Sequence, residues 1–206
     1  SWGDHFTEQL QRAGITLEGN IHRGVLPSGA QLLVERKHSI DQVLRPMLKD
    51  SDNLCAEAMF YQLAATSRRA YATYKDAAAQ VHQLIADCGL QPSDYLVADG
   101  SGLSLYNYVS PLLLVAVLRH AAQNEETFTH LTIALPIMGR DGTLKSRCRR
   151  TTAQDNVRAK TGTVEGVSSL TGYAMAANGH RLCFAIVNQG VRTAAEGRRF
   201  QDAVCR

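Results

Sequence analysis

Long apolar runs are missing from this sequence. The stretch Leu112 to Leu118 stops at Arg119, far short of the roughly 20 residues a bilayer-crossing helix needs. An excess of charge of one sign is missing too. The balance of 22 Lys and Arg against 19 Asp and Glu leaves +3, too little to argue for a nucleic-acid partner. The five cysteines, Cys55, Cys88, Cys148, Cys183 and Cys205, include no Cys-x-x-Cys pair, which argues against a metal centre. Most of them sit in apolar surroundings, as small core residues do. There is no initiator Met and no signal peptide, so the chain is expected to be processed or cut from something longer. What remains is ordinary for a globular protein: 45% hydrophobic and 20% charged residues over 206 positions, enough for one packed core.

The chain divides by pattern. Trp2, Phe6 and Leu10 recur at helical spacing over residues 1–13, and Gly14 supplies a stop. Ile15, Leu17 and Ile21 alternate with polar residues and read as a strand, and Ala30 to Arg36 reads as a second one after the break at Pro27-Ser28-Gly29. Ser39 and Gln42 form a capping box ahead of a helix bent or broken at Pro46. Further helices are expected over 54–65, 73–88, 111–122 and 127–135, the third capped by Ser110 with Pro111 in its first turn. Residues 136–154 read as an irregular excursion. Its basic cluster, Lys145, Arg147, Arg149 and Arg150, is expected to be a solvated loop. Strands then follow over 157–163, 169–177 and 181–188, with Asn178-Gly179 as a hairpin turn between the last two. A helix from about Thr193 closes the chain. Helices, a meander of strands and a helix imply an α+β fold with an antiparallel sheet.

Two triplets carry chemistry. Ser51-Asp52-Asn53 falls at a junction between two helices, where short polar residues commonly serve as caps. Lys160-Thr161-Gly162 falls on the strand in which Val157, Ala159 and Thr161 alternate with Arg158 and Lys160. Acyl transfer from a peptide that ends in a carboxylate needs a nucleophile, a base, a proton route to the leaving amine, and donors for the carboxylate and the oxyanion. Ser51 could relay the proton, and Asn53 could hold the substrate backbone. Lys160 would act electrostatically, and Thr161 would donate to the carboxylate. Gly162 lets another backbone come close, and the Thr163 N–H is suited to half an oxyanion hole.

Together, Ser-Asp-Asn and Lys-Thr-Gly are part of a known signature of penicillin-interacting serine enzymes. The stretches SDNLCAE (51–57), DGSGLSLYNYVSP (99–111) and AKTGTVEGVSSLTGY (159–173), with Asp141-Gly142-Thr143-Leu144, resemble the D-Ala-D-Ala carboxypeptidase/endopeptidase family. These are the class C low-molecular-mass penicillin-binding proteins. The resemblance implies the penicilloyl-transferase fold shared by DD-peptidases and β-lactamases, an antiparallel sheet flanked by helices. It also implies a periplasmic serine peptidase that acts on peptidoglycan stem peptides, is acylated by β-lactam antibiotics, and uses no metal or organic cofactor.

One part of the signature is absent. No serine in the chain is followed three residues later by lysine, so the family's nucleophile and base are not present. The chain is therefore expected to be the C-terminal part of a transpeptidase-like domain, inactive alone and prone to self-association through an unpaired sheet edge. A class A β-lactamase would place a Glu-x-x-Leu-Asn loop between the motifs, and Glu125 and Glu126 lack that context. A non-catalytic module that grips stem peptides is the alternative outside enzymes.

Overall fold

The computed structural model describes residues 2–22, 24–65 and 71–206. These divide into two compact units, residues 1–37 and 38–206. In the first, α1 (Trp2–Arg12) forms as its spacing predicts, with Trp2 and Phe6 stacked at 5.1 Å. Ser1 of the expected helix lies outside the described residues. The two strands expected over 15–21 and 30–36 do not form. A strand is stabilised by ladder bonds and cross-strand pairs, and alternation alone provides neither. Leu32, Leu33 and Val34 are accordingly left exposed.

The second unit is built on a three-stranded antiparallel sheet, β1 (Arg158–Val164), β2 (Val167–Met175) and β3 (Arg181–Gln189), in that order. Register places Lys160 opposite Thr171, Gly162 opposite Ser169 and Tyr173 opposite Cys183. Two layers cover the sheet. One face carries Ala159 and Leu170, which pack with Met138, Leu144, Cys148, Ala153 and Val157 from the excursion before β1. The last helix, α7 (Ala194–Cys205), packs on this face, and Gly197 lies so close to Ser168 that an added Cβ would approach to 2.6 Å. The other face carries Tyr173, packed with Leu118 of α5 (Pro111–Ala121) and with Leu135. The Tyr173 hydroxyl donates to the Leu118 carbonyl at 2.7 Å, and burial pushes its pKa up to about 12.

Around this lie α2 (Ile40–Lys49), α3 (Asn53–Ala65), α4 (Tyr74–Asp87) and α6 (Glu125–Ala134). The Ser39–Gln42 capping box is present, and α2 runs unbroken through Pro46. Helices α3 and α4 pair through Phe60, Ala64 and Ala77. The expected helix cap at Ser110 forms, and Thr73, at an expected helix start, caps α4 with a capping box to Asp76. The chain therefore has the α+β architecture, helices around an antiparallel sheet, that its pattern implied.

The basic cluster is not uniformly solvated. Lys145, Arg149 and Arg150 are exposed, but Arg147 is 8% exposed. A carboxylate on α7 accounts for this: Asp202 Oδ1 accepts from Arg147 Nε at 2.8 Å and lies 2.7 Å from Nη2. Sequence spacing gives no sign of a partner 55 residues away.

Candidate active site

The site draws on three elements, and each has its own reason to be where it is. The first is the α2–α3 junction. Asp52, not Ser51 or Asn53, caps α3, its Oδ1 accepting from the Cys55 N–H at 2.8 Å. The Pro46 carbonyl accepts from the N–H of both Asp50 and Asp52 and so tightens the turn. Ser51 adopts a left-handed backbone (φ 59°), a conformation that costs a non-glycine residue about 1 kcal/mol. With capping assigned to its neighbour, the Ser51 hydroxyl is free to face the sheet.

It meets Lys160 there. The Lys160 Nζ donates to Ser51 Oγ at 2.7 Å and to the carbonyl of Thr161 at 2.7 Å. A serine and a lysine 109 positions apart are thus joined directly, and the two triplets form one cluster. Lys160 has no carboxylate partner among the described residues. Burial, with no compensating anion, holds its pKa below the ordinary value. Asn53 opens the first turn of α3 and is exposed beside them.

The second element is the edge of β1. The Ala159 N–H donates to the Pro136 carbonyl, away from β2. Alternation along a strand then turns the N–H groups of Thr161 and Thr163 to the same outer side, where no strand among the described residues pairs with them. The Thr161 carbonyl, also on that side, is the one Lys160 bends back to reach. Gly162 is required for a local reason: a Cβ there would come within 2.4 Å of Ser169 Oγ on β2. Alternation also parts two side chains that adjoin in sequence. Lys160 leaves β1 on the Tyr173 face, and Thr161 leaves on the Leu170 face, where its Oγ1 donates to Thr143 Oγ1 at 3.0 Å.

The third element, missed in the sequence, holds the first two in place. Lys49, two residues before Ser51, pairs with Asp141 at 2.6 Å and donates to the Leu135 carbonyl at 2.8 Å. Asp141 Oδ1 accepts from the Ile137 N–H at 2.8 Å. Burial alone would raise the Asp141 pKa, but Lys49 and the Ile137 N–H outweigh it and hold it below the ordinary carboxylate value. Gly142 has a left-handed φ of 55°, and a Cβ on it would lie 2.7 Å from the Lys49 carbonyl. The Asp-Gly pair is therefore the seat on which the end of α2 rests.

A similar seat lies under the start of the 99–111 loop. Asp99 accepts from the N–H groups of Gly102 and Ser104, each at 2.7 Å, and from Asn107 Nδ2 at 2.9 Å. Glu57 on α3 accepts from the Ser101 N–H at 2.9 Å. A Cβ at Gly100 would reach 2.5 Å from Phe60 Cβ, so the loop backbone lies directly on α3. The Asp99-Gly100-Ser101-Gly102 motif is thus a docked platform for the helix that begins at Asn53.

Residues 1–206 match the model of the D-Ala-D-Ala carboxypeptidase 3 (S13) family. The chain belongs to this family. Among curated relatives it is 32% identical to D-alanyl-D-alanine carboxypeptidase DacB of Haemophilus influenzae, over 188 residues, covering 90% of this chain and 39% of that protein. It is also 32% identical to a D-alanyl-D-alanine carboxypeptidase of an Actinomadura species, covering 91% of this chain and 36% of that one. Among solved structures it is similar to penicillin binding protein 4 (dacB) from Haemophilus influenzae complexed with a β-lactam. That match has TM-score 0.85 and 28% identity, over 99% of this chain and 50% of the other. A TLA-1 extended-spectrum β-lactamase shares the fold alone, with TM-score 0.60 and 17% identity over 81% of this chain and 62% of the other. The S13 chain described here spans well under half the length of the curated relatives it matches.

Proposed function

We propose that the protein is a serine-type D-alanyl-D-alanine carboxypeptidase/endopeptidase that acts on peptidoglycan stem peptides in the periplasm. This chain carries the Ser-x-Asn and Lys-Thr-Gly half of its site. The 2.7 Å contact between Lys160 Nζ and Ser51 Oγ carries the reading, because it makes one proton path out of two distant triplets. Family membership and the likeness to carboxypeptidases and to a β-lactam-bound penicillin binding protein support it.

In this reading an extended peptide lies along the free edge of β1. The Thr163 N–H contributes half of the oxyanion hole, and the Asn53 amide holds the substrate backbone. The Thr161 hydroxyl donates to the terminal carboxylate. Lys160, with its pKa lowered, hands a proton through Ser51 to the leaving nitrogen more readily than a fully solvated lysine would. Gly162 keeps the edge low enough for the peptide backbone to approach. A β-lactam enters the same cleft as an acylating mimic of the peptide.

Since no serine here precedes a lysine at the Ser-x-x-Lys spacing, the acylated serine is not one of this chain's own. Incubated with a fluorescent penicillin, the 206-residue chain is expected to stay unlabelled, and a longer natural chain that adds a Ser-x-x-Lys segment is expected to label. A covalent adduct on Ser51 or any other serine of this chain would overturn the assignment. A longer chain with that segment that fails to label would favour a non-catalytic peptide-binding role. The free sheet edges and the exposed Leu32, Leu33 and Val34 favour self-association of the chain by itself, which a concentration series in sedimentation velocity tests.

A further inference from the structure

Two of the five cysteines meet at the end of α7. Cys148, in the excursion before β1, is 5% exposed and belongs to the buried cluster of Met138, Leu144 and Leu170. Cys205, the last residue of α7, is half-buried and packs against that same cluster. Among the described residues no other buried cluster brings two cysteines together. Cys183 is the one cysteine packed with the Tyr173 group, and Cys55 and Cys88 join neither that group nor the α3–α4 cluster. All five are free thiols.

The Asp202 carbonyl sets their approach. It accepts from the Cys148 Sγ–H at 3.8 Å, a weak bond of the kind a thiol donates. Asp202 lies three residues before Cys205 on the same face of α7, and a helical side chain leans back over the turn that precedes it. The Cys205 side chain therefore leans toward the carbonyl that Cys148 already touches. Neighbouring bonds hold the two segments together at this point. Thr152 Oγ1 donates to the Arg206 carbonyl, and Arg147 Nε donates to Asp202 Oδ1 at 2.8 Å. Burial, with Cys148 beside it, pushes the Cys205 thiol up to about 11, and burial raises Cys148 as well. Both are protonated at neutral pH, so exchange in the folded chain is slow.

We propose that Cys148 and Cys205 are a disulfide-forming pair, and that the bond staples the end of α7 to the excursion that carries Asp141, Gly142 and Thr143. The oxidant is a disulfide, either a small molecule or a protein. Cys205, the more exposed of the two, gives its proton to solvent, and its thiolate attacks one sulfur of the reagent and expels the other as a thiolate. Cys148 then loses its proton, attacks Cys205 Sγ and expels the reagent's remaining sulfur as a second thiolate. Two protein thiols are oxidised and one reagent disulfide is reduced to two thiols. The bond closes a loop around the whole sheet, which restrains the unfolded chain, and it persists only where the surroundings are oxidising. It stands apart from the chemistry at Ser51 and holds or fails without it.

The test uses the 206-residue chain, reduced with dithiothreitol, and oxidised glutathione as the probe. One sample is oxidised while folded, and another is refolded from urea in a glutathione buffer. Free thiols are then blocked with N-ethylmaleimide, and the monomer fraction is mapped by mass spectrometry without reduction. A peptide joining Cys148 to Cys205 is expected, with Cys55, Cys88 and Cys183 blocked, and it should form faster during refolding than in the folded chain. The oxidised chain should melt about 10 °C above the reduced one. Cys205→Ala should melt at the same temperature with and without the probe. Glutathione retained on Cys205 beside a blocked Cys148 would overturn the inference. So would five blocked thiols in both samples, a bond to a different cysteine, or a joined pair that leaves the midpoint unmoved. If Cys205→Ala fails to fold, the wild-type map and melting shift decide alone.

Discussion

Two lysines flank Ser51, and their surroundings differ in one respect. Lys49, at the end of α2, meets the Asp141 carboxylate and a backbone carbonyl, and its charge is cancelled within the scaffold. Lys160, on the edge of β1, meets a hydroxyl and a carbonyl, and no described carboxylate cancels it. A paired cation fixes geometry. An unpaired one keeps its field and its proton available to whatever enters the cleft. The difference separates what builds the site from what would work in it, although both side chains are lysine and both lie at least half-buried.

Substituting each lysine in turn should break the comparison. Lys49→Met strands the part-exposed Asp141 and loosens the end of α2, and is expected to cost about 2 kcal/mol of stability in a urea melt, as removing one partner of a charged hydrogen bond does. An unchanged midpoint would reduce the pair to decoration. Lys160→Met should behave in the opposite way. Its midpoint stays within about 1 kcal/mol of wild type or rises, since an uncompensated buried charge is removed, while binding of N-acetyl-D-alanyl-D-alanine falls by about tenfold. Loss of folding in this variant would make Lys160 a scaffold residue after all.

Gly162→Ala tests the strand edge between them. The added methyl meets Ser169 Oγ and should cost about 1–2 kcal/mol. Adding Ser169→Ala removes the obstructing oxygen and should recover most of that loss. A double variant no better than the single one would place the strain elsewhere.

The smallest effect is in pH. Asp141 has a folded pKa below its ordinary 3.8, so its contribution is full above that value and is lost as pH falls through the folded pKa. Lys160 works at the other end. Its folded pKa lies below 10.5, so stability rises as pH climbs from the folded value toward 10.5. Stability curves of Lys49→Met and Lys160→Met should lose the acid slope and the alkaline slope respectively. Curves parallel to wild type would show that neither group is linked to folding.

How much of this could be read beforehand differs along the chain. The helix caps at Ser39 and Ser110 are local matters, a side-chain oxygen and an N–H three residues on, and sequence carries them fully. The Asn178-Gly179 hairpin is equally local, and the strands around it form within two residues of expectation. The segment 15–21 alternates as β1 does and 30–36 carries the apolar run Leu32-Leu33-Val34, yet no ladder forms on either. Pairing is a property of two segments, and a pattern in one cannot reveal the absence of the other. The site divides in the same way. The two triplets were legible because their residue types are unusual together. Asp141 with Lys49, Glu57 under Ser101 and Arg147 with Asp202 were not, because an ordinary charged residue becomes informative only when its distant partner is known.

The backbone of Ser51 has one more consequence. A glycine there would relax the turn and should make the protein slightly harder to melt, but it would delete the hydroxyl that touches Lys160. Selection for robustness and selection for chemistry therefore pull this position in opposite directions. A laboratory search for thermostable variants should find Ser51→Gly early, and its survivors would be sturdy proteins without the Ser51–Lys160 contact.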